Sequence, residues 1–182
     1  IPRQDTEAII DDVKKKVQAA IDLCSGSGCI AITLAIENPS SLIDAVEISK
    51  IAIDNININV NKFGCSQNVN IIESDVLLNK FSSSYDIIVS NPPYIQPTDI
   101  NTLDHSVRYY DPHLALTDGV DGLSFYHRIL ELSQTMLNDG GRIILEFGRE
   151  AQAQQIIHIF SEFNYCIHND LSNKPRVIEL SR

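Results

Sequence analysis

A buried strand that two consecutive prolines stop is the feature that most limits how this chain can fold. The apolar run Tyr85–Ser90 is predicted to be that strand, and Asn91-Pro92-Pro93-Tyr94 follows it directly. Each proline lacks a backbone N–H and fixes φ, so the chain leaves the sheet there and is held rigid. Open α/β sheets bind their ligands outside the carboxyl ends of the strands, where this turn would lie. Asn91 and Tyr94 can therefore hold a planar polar group by its hydrogen-bonding edge and by its face.

Similar apolar runs recur along the chain and alternate with segments of helical periodicity. Predicted strands cover residues 19–24, 42–47, 68–73, 85–90 and 142–147. One predicted helix follows Thr6, which can cap it. Four more predicted helices cover residues 29–36, 49–63, 123–137 and 150–163. Residues 165–168 and 176–180 are predicted to pair as antiparallel strands. This order predicts an α/β fold with a doubly wound sheet that is mostly parallel and has an antiparallel edge at the C-terminus.

The segment between Ser49 and Gly64 fits two patterns. Ile56, Ile58 and Val60 alternate as they would in a strand, but Ile53, Ile56, Val60 and Phe63 also fit one face of a helix. A helix is favoured because Ser49 is a good N-cap, Gly64 is a good C-terminal cap, and a strand here would break the alternation of strands and helices.

Charge and length limit the classes of function. The 182 residues suffice for one domain with a real core. There are 24 acidic residues against 14 Lys and Arg, a formal net charge of −10. An acidic surface repels phosphate backbones, so we expect no nucleic acid as a partner. No apolar run reaches the roughly 18 residues of a membrane span, and no signal peptide is visible, so we expect a cytoplasmic protein.

The four cysteines match no zinc-binding pattern. Cys24, Cys29, Cys65 and Cys166 lie far apart or at the wrong spacing, and the five histidines are scattered. We therefore expect no metal site and predict that the cysteines are small buried apolar residues in a reducing compartment.

A glycine-containing loop follows the first predicted strand. Cys24-Ser25-Gly26-Ser27-Gly28 joins that strand to a helix, and its glycines let the backbone approach a ligand closely. Glu47 ends the next strand about 20 residues later, a spacing that suits a carboxylate accepting hydrogen bonds from ribose. After the third strand, Asp75 can accept from an adenine amino group or cap a turn, and Val76 can contact the ring. A dinucleotide and S-adenosylmethionine both fit, although the third glycine of the dinucleotide fingerprint is absent.

In this order the glycine loop, Glu47, Ser74-Asp75 and the Asn91–Tyr94 turn resemble the class I S-adenosylmethionine-dependent methyltransferases that act on planar nitrogens. More narrowly, the chain resembles the HemK-type glutamine N5-methyltransferases that modify peptide-chain release factors. The segments that carry the resemblance are Ile1–Glu7, Ser90–Ile95, Val107–Pro112, Asp118–Leu123, Glu146–Gly148 and Arg176-Val177. Three positions depart from the family pattern, where proline, glycine and glutamate respectively are more usual: Gln4, Cys24 and Asp111.

The resemblance implies a Rossmann-like class I methyltransferase fold and S-adenosyl-L-methionine as the cofactor. It implies that the loop from Cys24 to Gly28 lines the methionine part, that Glu47 holds the ribose, and that Asp75 and Val76 hold the adenine. It implies one methyltransferase domain over residues 1–182, preceded in the family by an N-terminal helical domain that helps to grip the release factor and that we expect to be missing upstream.

The resemblance also implies that Asn91, Pro92, Pro93 and Tyr94 are catalytic and bind the substrate glutamine of a release factor, with Asn91 also beside the cofactor. In this hypothesis the Asn91 side-chain carbonyl and the Pro92 backbone carbonyl accept the two amide N–H bonds, Pro93 keeps the backbone rigid, and Tyr94 packs against the amide.

Two other functions stay open at this stage. A DNA adenine N6-methyltransferase uses a related Pro-Pro-Tyr turn, but it needs a basic groove for the flipped base, which the charge of −10 disfavours. A non-catalytic module with a cofactor-binding fold is the second alternative.

Overall fold

The computed structural model describes residues 17–182, so the helix predicted after Thr6 lies outside the described residues. The strands are β1 (Ala19–Leu23), β2 (Leu42–Glu47), β3 (Val69–Glu73), β4 (Tyr85–Ser90), β5 (Leu137–Glu146), β6 (Asn164–Asn169) and β7 (Pro175–Ser181). The α-helices are α1 (Cys29–Glu37), α2 (Lys50–Phe63), α3 (His105–Tyr110), α4 (Ser124–Met136) and α5 (Glu150–Ile159). Two short 3₁₀-helices cover Pro97–Thr102 and His113–Ala115.

The strands of this range form one sheet in the order β3-β2-β1-β4-β5-β7-β6. The pairs from β3 to β5 are parallel, while β7 runs antiparallel to β5 and β6 antiparallel to β7. The predicted α/β fold with an antiparallel C-terminal edge is therefore confirmed. The chain moves outward from β1 to β3 and then returns to place β4 on the other side of β1. This reversal opens a crevice between the loops that follow β1 and β4.

Both faces of the sheet are covered, which explains why its strands are nearly continuous apolar runs. One buried cluster packs α4 and α5 against the sheet and includes Leu23, Ile88 and Tyr126. A second cluster packs α1 and α2 against the opposite face and includes Ile56 and Ile87. None of the helices in residues 17–182 has the length and apolar character that a bilayer crossing requires.

The ambiguous segment is a helix, as predicted. The Ser49 side chain accepts a hydrogen bond from the Ala52 N–H at 3.4 Å, and Gly64 ends the helix with φ of +69°. Ile56 and Val60 are buried on its inner face, whereas Ile58 is 63% exposed. Burial at positions four apart, and not at alternate positions, is what separates a helix from a strand here.

Two boundaries and one connection differ from the predictions by more than two residues. β5 begins at Leu137, five residues before its predicted start at residue 142, and so includes residues 138–141. The pairing of β4 with β5 jumps from Leu137 to Arg142, so those residues are a bulge at the start of the strand. The connection of residues 95–122, for which no element was predicted, contains α3 and both 3₁₀-helices. α5 ends at Ile159, four residues earlier than predicted.

The prediction that the cysteines are buried is wrong for three of the four. Cys65 is buried, Cys24 and Cys29 are partly exposed, and Cys166 is exposed. Cys166 lies on β6, the outermost strand of the sheet, where side chains face solvent. All four are free thiols.

Candidate active site

The carboxyl ends of β1 to β4 bring the predicted site residues to one edge of the sheet. The four strands are neighbours in the order β3-β2-β1-β4, so the loops that follow them are also neighbours. Backbone hydrogen bonds join these loops: the Ser25 N–H donates to the Val46 carbonyl at 2.9 Å, and the Ser74 N–H donates to the Glu47 carbonyl at 3.0 Å. The fold thus places segments that are distant in sequence along one continuous rim.

The loop after β1 is built from residues in the left-handed region. Cys24, Gly26 and Gly28 have φ of +64°, +56° and +77°. A side chain at Gly28 would lie 3.0 Å from the Ile56 side chain, so this glycine is needed for packing against α2. A side chain at Gly26 would meet nothing within 4 Å, so the backbone there borders open space. Cys24 adopts a conformation that favours glycine, which explains why glycine is the usual residue at its position.

The Glu47 carboxylate holds this loop against the end of β2. Its Oε2 accepts from the Gly26 N–H at 2.8 Å, and its Oε1 accepts from the N–H groups of Ile48 and Ser49 at 3.0 and 2.9 Å. A carboxylate can accept about four hydrogen bonds, so one position, on Oε2, remains for a ligand hydroxyl. Glu47 therefore both shapes the loop and keeps limited capacity for the predicted ribose contact.

In the turn after β3, Asp75 can both cap the turn and accept a hydrogen bond from a ligand. Its Oδ1 accepts from the Leu77 N–H at 2.8 Å and so caps the turn, which leaves Oδ2 for another donor. Val76 is only 4% exposed and belongs to the core beneath the rim. Arg128 of α4 fixes this turn by donating to the carbonyls of Val76 and Asn79 at 3.0 and 2.7 Å. Sequence reasoning missed Arg128, because a single basic residue on an amphipathic helix gives no signal of such a contact.

Asp22 is a second residue that sequence reasoning missed, although an acid inside an apolar strand was a visible signal. It is fully buried on β1, its Oδ2 accepts from the Ala31 N–H at 3.2 Å, and its carbonyl accepts from the Ser25 hydroxyl at 2.8 Å. Burial raises the pKa of its carboxyl to about 7. Asp22 thus links β1, the glycine loop and α1 beneath the rim.

The raised pKa predicts that Asp22 makes stability depend on pH. The folded protein holds a proton that the unfolded chain has released between about pH 4 and about pH 7, so the free energy of unfolding falls as the pH rises through this window. Asp22→Asn keeps an acceptor for the Ala31 N–H but cannot ionise. Relative to this variant, the wild type is expected to lose up to about 4 kcal/mol of stability from the acid to the alkaline end of the window. Urea unfolding of both proteins at several pH values checks this, and a difference that does not change with pH would contradict it.

The cysteines at the rim and at the edge strand are expected to differ in reactivity. Cys24 is partly exposed as a residue, but its sulfur is buried, and this burial together with the nearby carboxylates of Glu47 and Asp22 raises the pKa of the thiol well above its ordinary value. The thiol therefore stays protonated and is a poor nucleophile, whereas Cys166 is exposed. We expect iodoacetamide to alkylate Cys166 at least about tenfold faster than Cys24, as followed by mass spectrometry of tryptic peptides. Equal rates would show that the Cys24 thiol is not shielded.

The turn after β4 presents a free amide on a rigid backbone. Pro92 and Pro93 are buried, whereas Asn91 and Tyr94 are partly exposed. Within residues 17–182 the Asn91 side chain has no hydrogen-bond partner, so both its oxygen and its nitrogen are available to a ligand. The hydroxyl of the buried Ser90 donates to the Leu23 carbonyl at 2.6 Å, which fixes the start of the turn to β1.

The Tyr94 side chain is fixed against the loop that follows β5. Its hydroxyl donates to Glu146 Oε1 at 3.1 Å. Its ring lies so close to Gly148 that a side chain there would come within 2.9 Å of Cε2. Glycine at position 148 is thus what lets the tyrosine ring occupy this place, and the predicted contact of Tyr94 with a substrate amide stays a prediction.

A cavity of about 330 Å³ lies beside Tyr94. Its walls come from the connection after the turn, from the start of α5 and from β7. Asp99 and Arg149, which form an ion pair, are both part of the lining, together with apolar side chains such as Leu103 and Val107. This mixture suits a polypeptide segment better than a purely apolar ligand.

The comparisons with known proteins agree on methyltransferases. Residues 4–107 match the family described as "Methyltransferase small domain". The chain is 38% identical over 190 residues to the release factor glutamine methyltransferase of Clostridium botulinum, with 98% of this chain and 66% of that protein covered. It is 37% identical over 191 residues to the protein of the same name from Lactococcus lactis, with 99% and 68% covered.

The chain therefore spans about two thirds or less of the length of the curated relatives that it matches, 66% in the first case. Among solved structures, the ribosomal protein L11 methylase of Lactobacillus delbrueckii subsp. bulgaricus superposes with a TM-score of 0.68. That alignment covers 98% of this chain and 76% of the other at 16% identity, so it supports the fold alone.

Proposed function

Because this chain belongs to the family of release factor glutamine methyltransferases, we propose that it transfers a methyl group from S-adenosyl-L-methionine to the side-chain amide nitrogen of a glutamine in a protein. The protein substrate that we propose is a peptide-chain release factor. The observation that carries the proposal is the Asn91 amide, which has no hydrogen-bond partner among residues 17–182 and lies on a rigid turn where the order of the strands reverses.

The rim has the features that the cofactor requires. Open space borders Gly26, and Glu47 keeps one free acceptor position. The residues that would hold the cofactor are Cys24 to Gly28 for the methionine part, Glu47 for the ribose, and Asp75 with Val76 for the adenine. The cofactor supplies an electrophilic methyl group on a sulfonium, and the protein supplies position and electrostatics.

Asn91 and the prolines orient the target nitrogen. An amide nitrogen is a poor nucleophile because its lone pair is delocalised into the carbonyl, so its alignment with the methyl group decides the rate. We assign the Asn91 side-chain oxygen and the Pro92 carbonyl as acceptors of the two N–H bonds of the substrate amide. The stiffness of Pro92-Pro93 fixes the Pro92 carbonyl relative to the backbone of Asn91 before the substrate arrives.

The same two acceptors give specificity for glutamine over glutamate. A glutamate in this place has no N–H groups, so the two oxygens would face a carboxylate or stay unpaired. Each unpaired buried acceptor costs about 1–3 kcal/mol. A release factor whose target glutamine is changed to glutamate is therefore expected not to be methylated.

The segment of substrate that flanks the glutamine has space beside the turn. The cavity next to Tyr94 is large enough for one or two side chains and offers both polar and apolar walls. We propose that it receives the polypeptide next to the target residue. We further propose that residues 1–182 act as one methyltransferase domain and that the reaction takes place in the cytoplasm, where release factors work.

Transfer of labelled methyl groups tests the proposed function. The chain is incubated with cofactor that carries a radiolabelled methyl group and with a release factor, with duplex DNA, or with neither. Label on the release factor alone is expected, because the net charge of −10 disfavours DNA. Label on DNA alone would favour an adenine methyltransferase. No label, together with no heat of cofactor binding in calorimetry, would favour a non-catalytic module.

A further inference from the structure

Gln152 makes three hydrogen bonds to three different loops. It is 9% exposed, at the start of α5. Its Nε2 donates to the Tyr94 carbonyl at 3.1 Å and to the Gly122 carbonyl at 3.0 Å. Its Oε1 accepts from the Gly148 N–H at 2.9 Å. One buried side chain thus ties the turn after β4 to the loop before α4 and to the loop after β5.

Helix capping explains only one of these bonds. Gln152 is the third residue of α5, a position from which glutamine commonly reaches back to a backbone N–H before the helix. The bond from Gly148 fits that role. The two bonds that its nitrogen donates go to loops that α5 does not need for its own start, and those loops include the predicted catalytic turn.

The turn is fixed at both of its ends. Ser90 ties the start of the turn to β1, and Pro92-Pro93 carries that constraint forward without flexibility. After Tyr94 the chain enters the long connection of residues 95–122. Where the stiff segment stops, the Tyr94 hydroxyl bonds to Glu146, the Ile95 N–H donates to the Leu116 carbonyl at 2.9 Å, and Gln152 holds the Tyr94 backbone carbonyl directly.

We propose that Gln152 is a positioning residue that holds the Asn91–Tyr94 turn in the geometry needed for methyl transfer, an inference that rests on the proposed function. Gln152 does not touch the reacting atoms. It acts by keeping the Asn91 and Pro92 oxygens in register with the rim that holds the cofactor.

Three variants test whether the effect of Gln152 comes from its hydrogen bonds, from its side-chain volume or from any substitution on this helix. Gln152→Met keeps the length of the side chain but makes none of the three bonds. Gln152→Glu keeps the acceptor for the Gly148 N–H but turns a carboxylate toward two carbonyls. Gln154→Met is the matched control, since Gln154 is exposed on the same helix and makes no side-chain hydrogen bond within the described range.

Amide hydrogen exchange and steady-state kinetics give two independent readouts. In both Gln152 variants, peptides that contain residues 94–96 and 117–123 are expected to exchange at least about tenfold faster than in wild type. The kcat for release factor methylation is expected to fall about tenfold or more, with KM and the Kd for cofactor changed by less than about twofold. Gln154→Met is expected to match wild type in all of these.

The proposal is overturned if the exchange of both segments is unchanged in Gln152→Met. It is also overturned if the fall in kcat is accompanied by losses of cofactor affinity and of thermal stability, because that pattern indicates a general structural defect. Gln152→Glu with wild-type kcat would also overturn it. If the wild-type chain methylates no glutamine, the proposed function fails, and the exchange experiment still decides whether Gln152 fixes the turn.

Discussion

Replacing Asn91 with alanine is expected to lower kcat about 100-fold while changing the Kd for S-adenosylmethionine by less than about threefold. The variant loses the side-chain oxygen that we assign to one N–H of the substrate amide, so the nitrogen is no longer held in line with the methyl group. The buried prolines beside it still keep the backbone in place. Steady-state kinetics with a release factor and calorimetry with the cofactor measure the two effects separately.

Asn55→Ala is a suitable control, because Asn55 is an exposed asparagine on α2 whose side chain makes no hydrogen bond within residues 17–182. It is expected to leave both quantities unchanged. Methylation by Asn91→Ala within about twofold of wild type would remove Asn91 from the role of amide acceptor.

Replacing Gly122 with alanine is expected to destabilise the protein by about 3 kcal/mol and to abolish most activity. Gly122 has φ of +79°, and a side chain there would lie 2.3 Å from the Tyr94 carbonyl oxygen, which is backbone and cannot move without moving the turn. The same change would displace the oxygen that accepts from Gln152. Chemical denaturation and kinetics measure the two losses.

Gly119→Ala separates the cost of backbone strain from the cost of a steric clash. Gly119 is in the same loop with φ of +78°, but a side chain there would meet nothing within 4 Å. This variant carries the cost of a left-handed alanine alone, about 1 kcal/mol, with little loss of kcat. If Gly119→Ala and Gly122→Ala had equal effects, close contact with Tyr94 would not be the reason for glycine at position 122.

Sequence patterns predicted β1 to β5 because each contains an apolar run, and β2 to β5 end at a polar residue. The caps at Ser49 and Gly64 and the alternation of strands and helices predicted α2, since the apolar spacing alone fitted both a strand and a helix. The start of β5 was not predictable in this way, because Gly140 and Gly141 suit a turn as well as a bulge.

The candidate site likewise contains residues that the sequence could predict and contacts that it could not. Asn91 and the two prolines stand next to one another in sequence, so their combined chemistry could be predicted from that segment alone. The bonds from Arg128 to the turn after β3, from Gln152 to the Tyr94 carbonyl and from Tyr94 to Glu146 join residues 49 to 58 positions apart. Such contacts depend on how helices and loops pack, and a single sequence contains no periodic signal of them.

Tandem mass spectrometry of a release factor, after incubation with this chain and S-adenosylmethionine, tests the proposed methyl transfer most directly. The expected result is the added mass of one methylene unit on a single glutamine side chain, and no modification when that glutamine is changed to glutamate. A methyl group on any other residue, or an unmodified release factor under conditions in which calorimetry shows bound cofactor, would contradict glutamine methylation by this site.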